Sequence, residues 1–306
     1  MTPEIQRLRD QHYNAIILGE RLVHGTVMVF QVKPDRPIPR PRPGQWLELG
    51  LGVWEPVREG AEPGSAKRSG PEALIKRAYS LSSPILNADH TRLIEPDESD
   101  GFEFFLSLVI PPAARAGKVP NLTGRLFCLK SGDRLFLSDT PMGEYTLDGV
   151  SPNDNVVFLA TGTGEAPHNA MIWELLRTGH RGRVASVVSV RHADDLAYDP
   201  VHRRLAELFP NYRYTALATR DPGSDGKHLQ QHLADGALAA MAGFPLEPPR
   251  THVFLCGNPG MIGPPRLLNG RRVFPDEPGM VELLEREGFN ADETRGPVTV
   301  HYERFW

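Results

Sequence analysis

With 306 residues, the chain is long enough for two domains that each bury a core. Hydrophobic residues at 40% and charged residues at 24% exclude disordered, collagen-like and coiled-coil classes. A formal net charge of -4 gives no general reason to bind nucleic acid or an anionic membrane, so neither partner is expected.

The N-terminus, Met1 to Asp10, is polar and charged, without the apolar core of a signal peptide. From about His24 to Tyr145, short strand-like runs alternate with turn residues: Thr26 to Val32, Trp46 to Leu51, Ala78 to Ser82, Phe102 to Ile110 and Arg134 to Leu137. This spacing predicts an antiparallel sandwich or barrel. Val53 to Lys76 mixes Gly, Pro, Ser and charge without periodicity and reads as a mobile surface loop between two strands. The longest apolar run, Phe104 to Pro112, is far short of a bilayer span, and a cytoplasmic location is the expectation.

The pattern changes around Ser151-Pro152-Asn153-Asp154. The apolar run Val156 to Ala160 leads through Thr161-Gly162-Thr163-Gly164 into a helical stretch, Ala166 to Arg177. Apolar runs follow at Val184 to Val190, Tyr212 to Ala218 and Val253 to Cys256, with helices predicted at Pro200 to Leu208 and Leu229 to Met241. Alternating strands and helices predict a parallel sheet with helices on both faces. The domains are therefore set at 1–150 and 151–306, and a final strand is read in Gly296 to Trp306. Cys128 and Cys256, the only cysteines, form no C-x-x-C or Cys/His cluster, so no metal is expected and redox chemistry would need an organic cofactor.

The Gly162-Thr163-Gly164 turn stands where open α/β sheets bind nucleotides, at the carboxyl end of a strand entering a helix. Taken alone, its spacing is short of the full dinucleotide fingerprint and fits a ligand-free turn. Arg191 ends the next strand, Thr219 and Arg220 end the one after, and Lys227 follows. Three cations at one sheet edge suit the 2'-phosphate of NADP better than the bare ribose of NAD.

Arg77-Ala78-Tyr79-Ser80 resembles the R-x-Y-S flavin motif of the ferredoxin–NADP reductase family. It is followed in order by Asn121-Leu122-Thr123, Thr161-Gly162-Thr163-Gly164, Cys256-Gly257-Asn258-Pro259-Gly260-Met261-Ile262 and the terminal pair Phe305-Trp306. The resemblance runs through nearly the whole chain and is closest to the bacterial branch. It implies an antiparallel β-barrel FAD domain followed by a Rossmann-like α/β NADP-binding domain with a parallel sheet. FAD would be held by Arg77, Ala78, Tyr79, Ser80, Leu106, Ser107, Leu108, Asn121, Leu122, Thr123, Thr163, Phe305 and Trp306. NADP(H) would lie against Gly162, Gly164, Arg191, Thr219, Arg220, Lys227, Asn258, Pro259 and Gly260. Ser80 would hydrogen-bond flavin N5, and Cys256 would lie beside the nicotinamide.

The implied reaction is hydride transfer between NADP(H) and FAD, coupled to one-electron exchange with ferredoxin or flavodoxin by a monomer. An NADH-dependent reductase component of an oxygenase, a flavin reductase and a non-catalytic electron-transfer subunit are the competing readings.

Overall fold

A computed structural model describes residues 2–58, 70–108 and 121–304, with Asn121 described by its backbone alone. Two compact units divide the chain: residues 1–83 with 95–144, and residues 84–94 with 145–306.

The first unit opens with helix α1 (Pro3–His12), started by Thr2, whose hydroxyl accepts from the Ile5 amide. The described strands β1 (Ala15–His24), β2 (Val27–Pro34), β3 (Trp46–Gly52), β4 (Leu74–Ser82), β5 (Phe102–Ser107) and β6 (Arg134–Leu137) close an antiparallel barrel in the order β1-β2-β5-β4-β3-β6. Alternation drives the closure. Ile17, Phe30, Leu47, Leu49, Leu51, Phe104, Leu135 and Leu137 point inward and are essentially unexposed, each such burial stabilising by about 1.5–3 kcal/mol. A short helix, α2 (Asn121–Leu126), packs against β3 and β4.

Three sequence expectations change here. Strand β1 was not expected, because register shifts at Ile17/Gly19 and Leu22/His24 blur its alternation. The run from Phe102 ends as a strand at Ser107, and residues 109 and 110 lie outside the described residues. The loop read from Val53 to Lys76 ends early, since Leu74, Ile75 and Lys76 pair with Gly52, Leu51 and Gly50.

The loop's first turn is also anchored. The carboxylate of Glu55, only 5% exposed, accepts from Arg9 Nε at 2.7 Å, Tyr13 Oη at 3.0 Å and Trp54 Nε1 at 3.1 Å. Arg125 donates to the carbonyls of Glu55 and Val53. Residues 59–69 of the loop lie outside the described residues.

In the second unit, β7 (Asn155–Thr161), β8 (Val184–Val190), β9 (Tyr212–Ala218), β10 (Thr251–Gly257) and β13 (Val300–Arg304) form a parallel sheet in the order β13-β10-β7-β8-β9. Helices α3 (Glu165–Arg177) and α4 (Asp199–Leu208) cover one face, where Met171, Ile172 and Leu205 meet Val156, Phe158 and Phe254. Helices α5 (Leu229–Ala234), α6 (Ala237–Ala242) and α8 (Met280–Arg286) cover the other, where Leu229, Leu238 and Leu284 meet Val157, Leu159, Val253 and Leu255. The single helix predicted over Leu229 to Met241 is two, because Gly236 turns left-handed (φ 72°) between them. After β10 come the short helix α7 (Pro259–Ile262) and a hairpin of β11 (Arg266–Leu268) and β12 (Arg271–Val273). Among the described residues, no helix is long and apolar enough to cross a membrane.

Candidate functional site

In the barrel unit, the Arg77-Ala78-Tyr79-Ser80 motif lies along β4, opposite Leu49, Glu48, Leu47 and Trp46 of β3. Arg77 and Ala78 are exposed, Tyr79 is half-buried and Ser80 is buried. Arg77 donates to its neighbour's carbonyl, Lys76 O, at 2.7 Å. Tyr79 Oη and Thr123 Oγ1 are 3.0 Å apart, so the structure joins β4 to the start of α2. Burial, opposed by that hydrogen bond, pushes the Tyr79 hydroxyl up to about 12, so it is a neutral hydroxyl at physiological pH. Leu106 and Leu122 are buried, while Ser107 and Thr123 are partly exposed. Leu108 is buried, and its amide donates to Thr26 O at 2.8 Å.

In the parallel-sheet unit, the glycine turn occupies the carboxyl end of β7. Gly162 has a positive φ (54°) and open space where a Cβ would stand, leaving its backbone approachable from outside. Gly164 serves a different need, since a Cβ there would collide with the carbonyl of Cys256 and the amide of Gly257. Gly257 (φ 124°) likewise leaves no room between itself and Thr161. The β7 turn and the end of β10 are therefore locked together, with the Asn258 amide donating to Thr161 Oγ1 at 2.7 Å. Asn258 Oδ1 caps α7 by accepting from the Gly260 amide at 2.9 Å. Thr163 and Cys256 are buried, and burial raises the Cys256 thiol well above its ordinary range, so it is a thiol and not a thiolate.

Arg191 and Arg220 end adjacent strands, joined by the Arg220 amide donating to Arg191 O at 2.8 Å. Both side chains are exposed, with no hydrogen-bond or ion-pair partner among the described residues. Thr219 Oγ1 donates to Val190 O at 3.1 Å on the same edge. Lys227 is not gathered with them in the same way, because its ammonium is committed to Asp235 Oδ2 at 2.6 Å. Asp221 is held by His192 Nδ1 at 2.8 Å and by the Ala193 amide at 2.8 Å, contacts that lower its carboxyl below the usual range. Phe305 and Trp306 lie outside the described residues; β13 carries the chain to Arg304, level with Gly257.

Three residues near these turns escaped the sequence reading. Glu303 on β13 is level with Cys256, and its charge helps raise the Cys256 thiol. That juxtaposition depends on inter-strand register, which local pattern does not encode. Gln230 on α5 donates to Gly260 O at 3.2 Å, and its buried Oε1 has no hydrogen-bond partner among the described residues. Glu165, the first residue of α3, is 2% exposed and lies 3.1 Å from His202 Nε2. His202, fully buried, also contacts Asn169 Oδ1 at 3.0 Å and Tyr212 Oη at 2.7 Å. Among the described residues, no group of three or more His, Cys, Asp or Glu could hold a metal ion.

Residues 158–264 match the oxidoreductase NAD-binding domain family. The chain is 28% identical over 291 residues to ferredoxin–NADP reductase A of Sorangium cellulosum, covering 90% of each protein. It is 28% identical over 149 residues to the flavodoxin/ferredoxin–NADP reductase of Buchnera aphidicola subsp. Schizaphis graminum, an alignment spanning 48% of this chain and 57% of that protein. In structure, it superposes with a TM-score of 0.70 and 19% identity on a ferredoxin–NADP+ reductase from Neisseria gonorrhoeae solved with bound FAD and NADP, covering 96% of this chain and 99% of that one. Over most of its length the chain is thus similar to proteins named ferredoxin–NADP reductase, and its fold is that of a solved member of that group.

Proposed function

We propose that this chain is an FAD-dependent NADP(H) oxidoreductase that exchanges single electrons with a ferredoxin or flavodoxin. The observation that carries the reading is the carboxyl edge of the parallel sheet. There an approachable glycine turn, a capped Asn258-Pro259-Gly260 turn and two free guanidiniums at adjacent strand ends lie on one unit.

The backbone at Gly162 to Gly164 suits a pyrophosphate, and Arg191 and Arg220 suit a 2'-phosphate. Lys227, held by Asp235, contributes less than the two arginines. Thr219, Asn258, Pro259 and Gly260 are assigned to the same nucleotide. Cys256, a small neutral thiol, gives close access to a nicotinamide ring without adding charge, and Glu303 supplies a carboxylate beside it.

In the barrel unit, Tyr79 offers a flat ring steadied by Thr123. Arg77 and Asn121 to Thr123 are assigned to the FAD pyrophosphate, Ser80 to flavin N5, and Ala78, Leu106, Ser107 and Leu108 to the ring's surroundings. Thr163, Phe305 and Trp306 are assigned to the flavin by the family resemblance. The assignment of residues 1–150 to FAD and 151–306 to NADP follows the same reading, as do a monomeric state and a cytoplasmic location. When bound, FAD converts a two-electron hydride donor into single-electron steps. The protein's task is then orientation and exclusion of water, and no general acid–base dyad is required.

Flavin released by heating the purified protein, separated chromatographically, tests the cofactor, and dichlorophenolindophenol reduction tests the nicotinamide. FAD in near-equimolar amount and turnover faster with NADPH than with NADH are expected. Absence of flavin, or turnover equal with both nucleotides, would contradict the reading.

A further inference from the structure

Residues 263–279 leave the sheet's carboxyl edge directly after α7 and return to it at α8. The neck of this excursion is closed, because Gly263 (φ 60°) and Gly279 lie so close that a Cβ on either would strike the other's main chain. Between them, β11 and β12 pair across Asn269-Gly270, whose positive φ values (51° and 75°) suit the tight hairpin turn that matches strand twist. An isolated two-stranded hairpin is marginal in water. Arg272 holds this one: its guanidinium, 16% exposed, reaches Glu285 at 2.7 Å and Asp292 at 3.5 Å and lies over the Phe274 ring at 5.4 Å.

The register Arg266↔Val273 and Leu268↔Arg271 puts those four side chains on the face opposite Arg272. All four are exposed, Leu268 at 57% and Val273 at 43%, and Leu267 is 74% exposed. Neither Arg266 nor Arg271 has a hydrogen-bond or ion-pair partner among the described residues. The hairpin's hold on the domain thus runs through one face, and the other presents two aliphatic side chains between two free guanidiniums.

We propose that this face docks an acidic protein, the one-electron carrier of the function proposed above, on which this inference rests. Charge complementarity selects the occupant. Two unpaired cations on a chain of net charge -4 form a local attractive spot for carboxylates, and the aliphatic pair supplies a desolvated centre. A symmetric contact between the hairpins of two copies would set arginine against arginine, which disfavours self-association. The hairpin rises from the same sheet edge as the glycine turn, so a carrier held there is recruited to the nucleotide-binding edge. Its closed neck and anchored strand leave little ordering entropy to lose on binding.

The test compares the wild-type protein with R266E/R271E and L268S/V273S. NADPH-driven cytochrome c reduction is measured through a purified flavodoxin and, separately, a [2Fe–2S] ferredoxin at several salt concentrations. The expected result is a carrier KM raised about tenfold at low salt in R266E/R271E, with a flattened salt dependence, while NADPH–dichlorophenolindophenol turnover and thermal unfolding stay as in the wild type. L268S/V273S is expected to raise the carrier KM without changing the salt dependence. A wild type that reduces both carriers, with variants that match it at every salt concentration, overturns the docking surface but leaves the functional reading standing. A wild type that oxidises NADPH with the dye yet reduces neither carrier overturns both. Loss of a wild-type dimer in the variants, with unchanged carrier kinetics, overturns the proposal in favour of a second copy of the chain.

Discussion

Replacing His202 by phenylalanine probes the polar cluster behind the glycine turn. The ring keeps its stack on Tyr214, now 4.8 Å between centroids, but Glu165 loses its neighbour at 3.1 Å. Tyr212 Oη loses its partner at 2.7 Å and Asn169 Oδ1 its partner at 3.0 Å. Both residues of the Glu165–His202 pair are essentially inaccessible, at 2% and 0% exposure. Removing one member of such a buried pair costs about 3–5 kcal/mol, because the remaining carboxylate is left without compensation. That is a large share of the ~5–15 kcal/mol that holds a domain folded. E165Q removes the charge itself and is expected to cost about 1 kcal/mol. The double variant H202F/E165Q is expected to be more stable than H202F, giving a coupling of about 2 kcal/mol. Urea unfolding followed by tryptophan fluorescence measures all three. An H202F loss below about 1 kcal/mol, or strictly additive losses, would refute the reasoning.

Stability should also fall in mild acid. Burial holds His168 near about 3 and His301 near about 4, against an ordinary value of 6.5. Above pH 6.5 both are neutral folded or unfolded and contribute no pH dependence. Below it the unfolded chain binds protons that the folded chain refuses, so each removes about 1.4 kcal/mol per pH unit until its folded value is reached. Urea midpoints at pH 7 and pH 5 check this, and H301Q should flatten the slope. Gly164→Ala is expected to destabilise by about 1–3 kcal/mol and to weaken NADP+ binding, because its methyl meets the Cys256 carbonyl; calorimetric titration reads the affinity. R191A/R220A should raise the KM for NADPH more than tenfold, from lost charge-assisted hydrogen bonds worth about 1.5–3 kcal/mol each, and leave that for NADH unchanged. K227A should have the smaller effect, since Lys227 is engaged by Asp235.

The doubly wound half was the most legible. Strands β8 and β9 run as read, from Val184 to Val190 and from Tyr212 to Ala218: β8, buried at every residue, leaves a continuous apolar run, while β9, at the sheet edge, is marked by its aromatic and β-branched residues Tyr212, Tyr214 and Thr215. The barrel half was legible as short strands, except β1, whose irregular pairing hides its period. Individual partnerships were not legible. The commitment of Lys227 to Asp235, the burial of Glu165 against His202 and the alignment of Glu303 with Cys256 depend on register and side-chain direction across elements far apart in sequence. The hairpin from Arg266 to Val273 was missed for the opposite reason. Its strands are three residues each, too short to show a period, and Asn269-Gly270 was its main local signal.

The central claim, an FAD reduced by NADPH, is tested most directly by anaerobic titration of the purified protein with NADPH and, separately, NADH, following the flavin absorbance band. Bleaching by NADPH at far lower concentration than by NADH is the predicted result. Equal bleaching by both would contradict the phosphate-binding role of Arg191 and Arg220, and a spectrum without a flavin band would contradict the account as a whole.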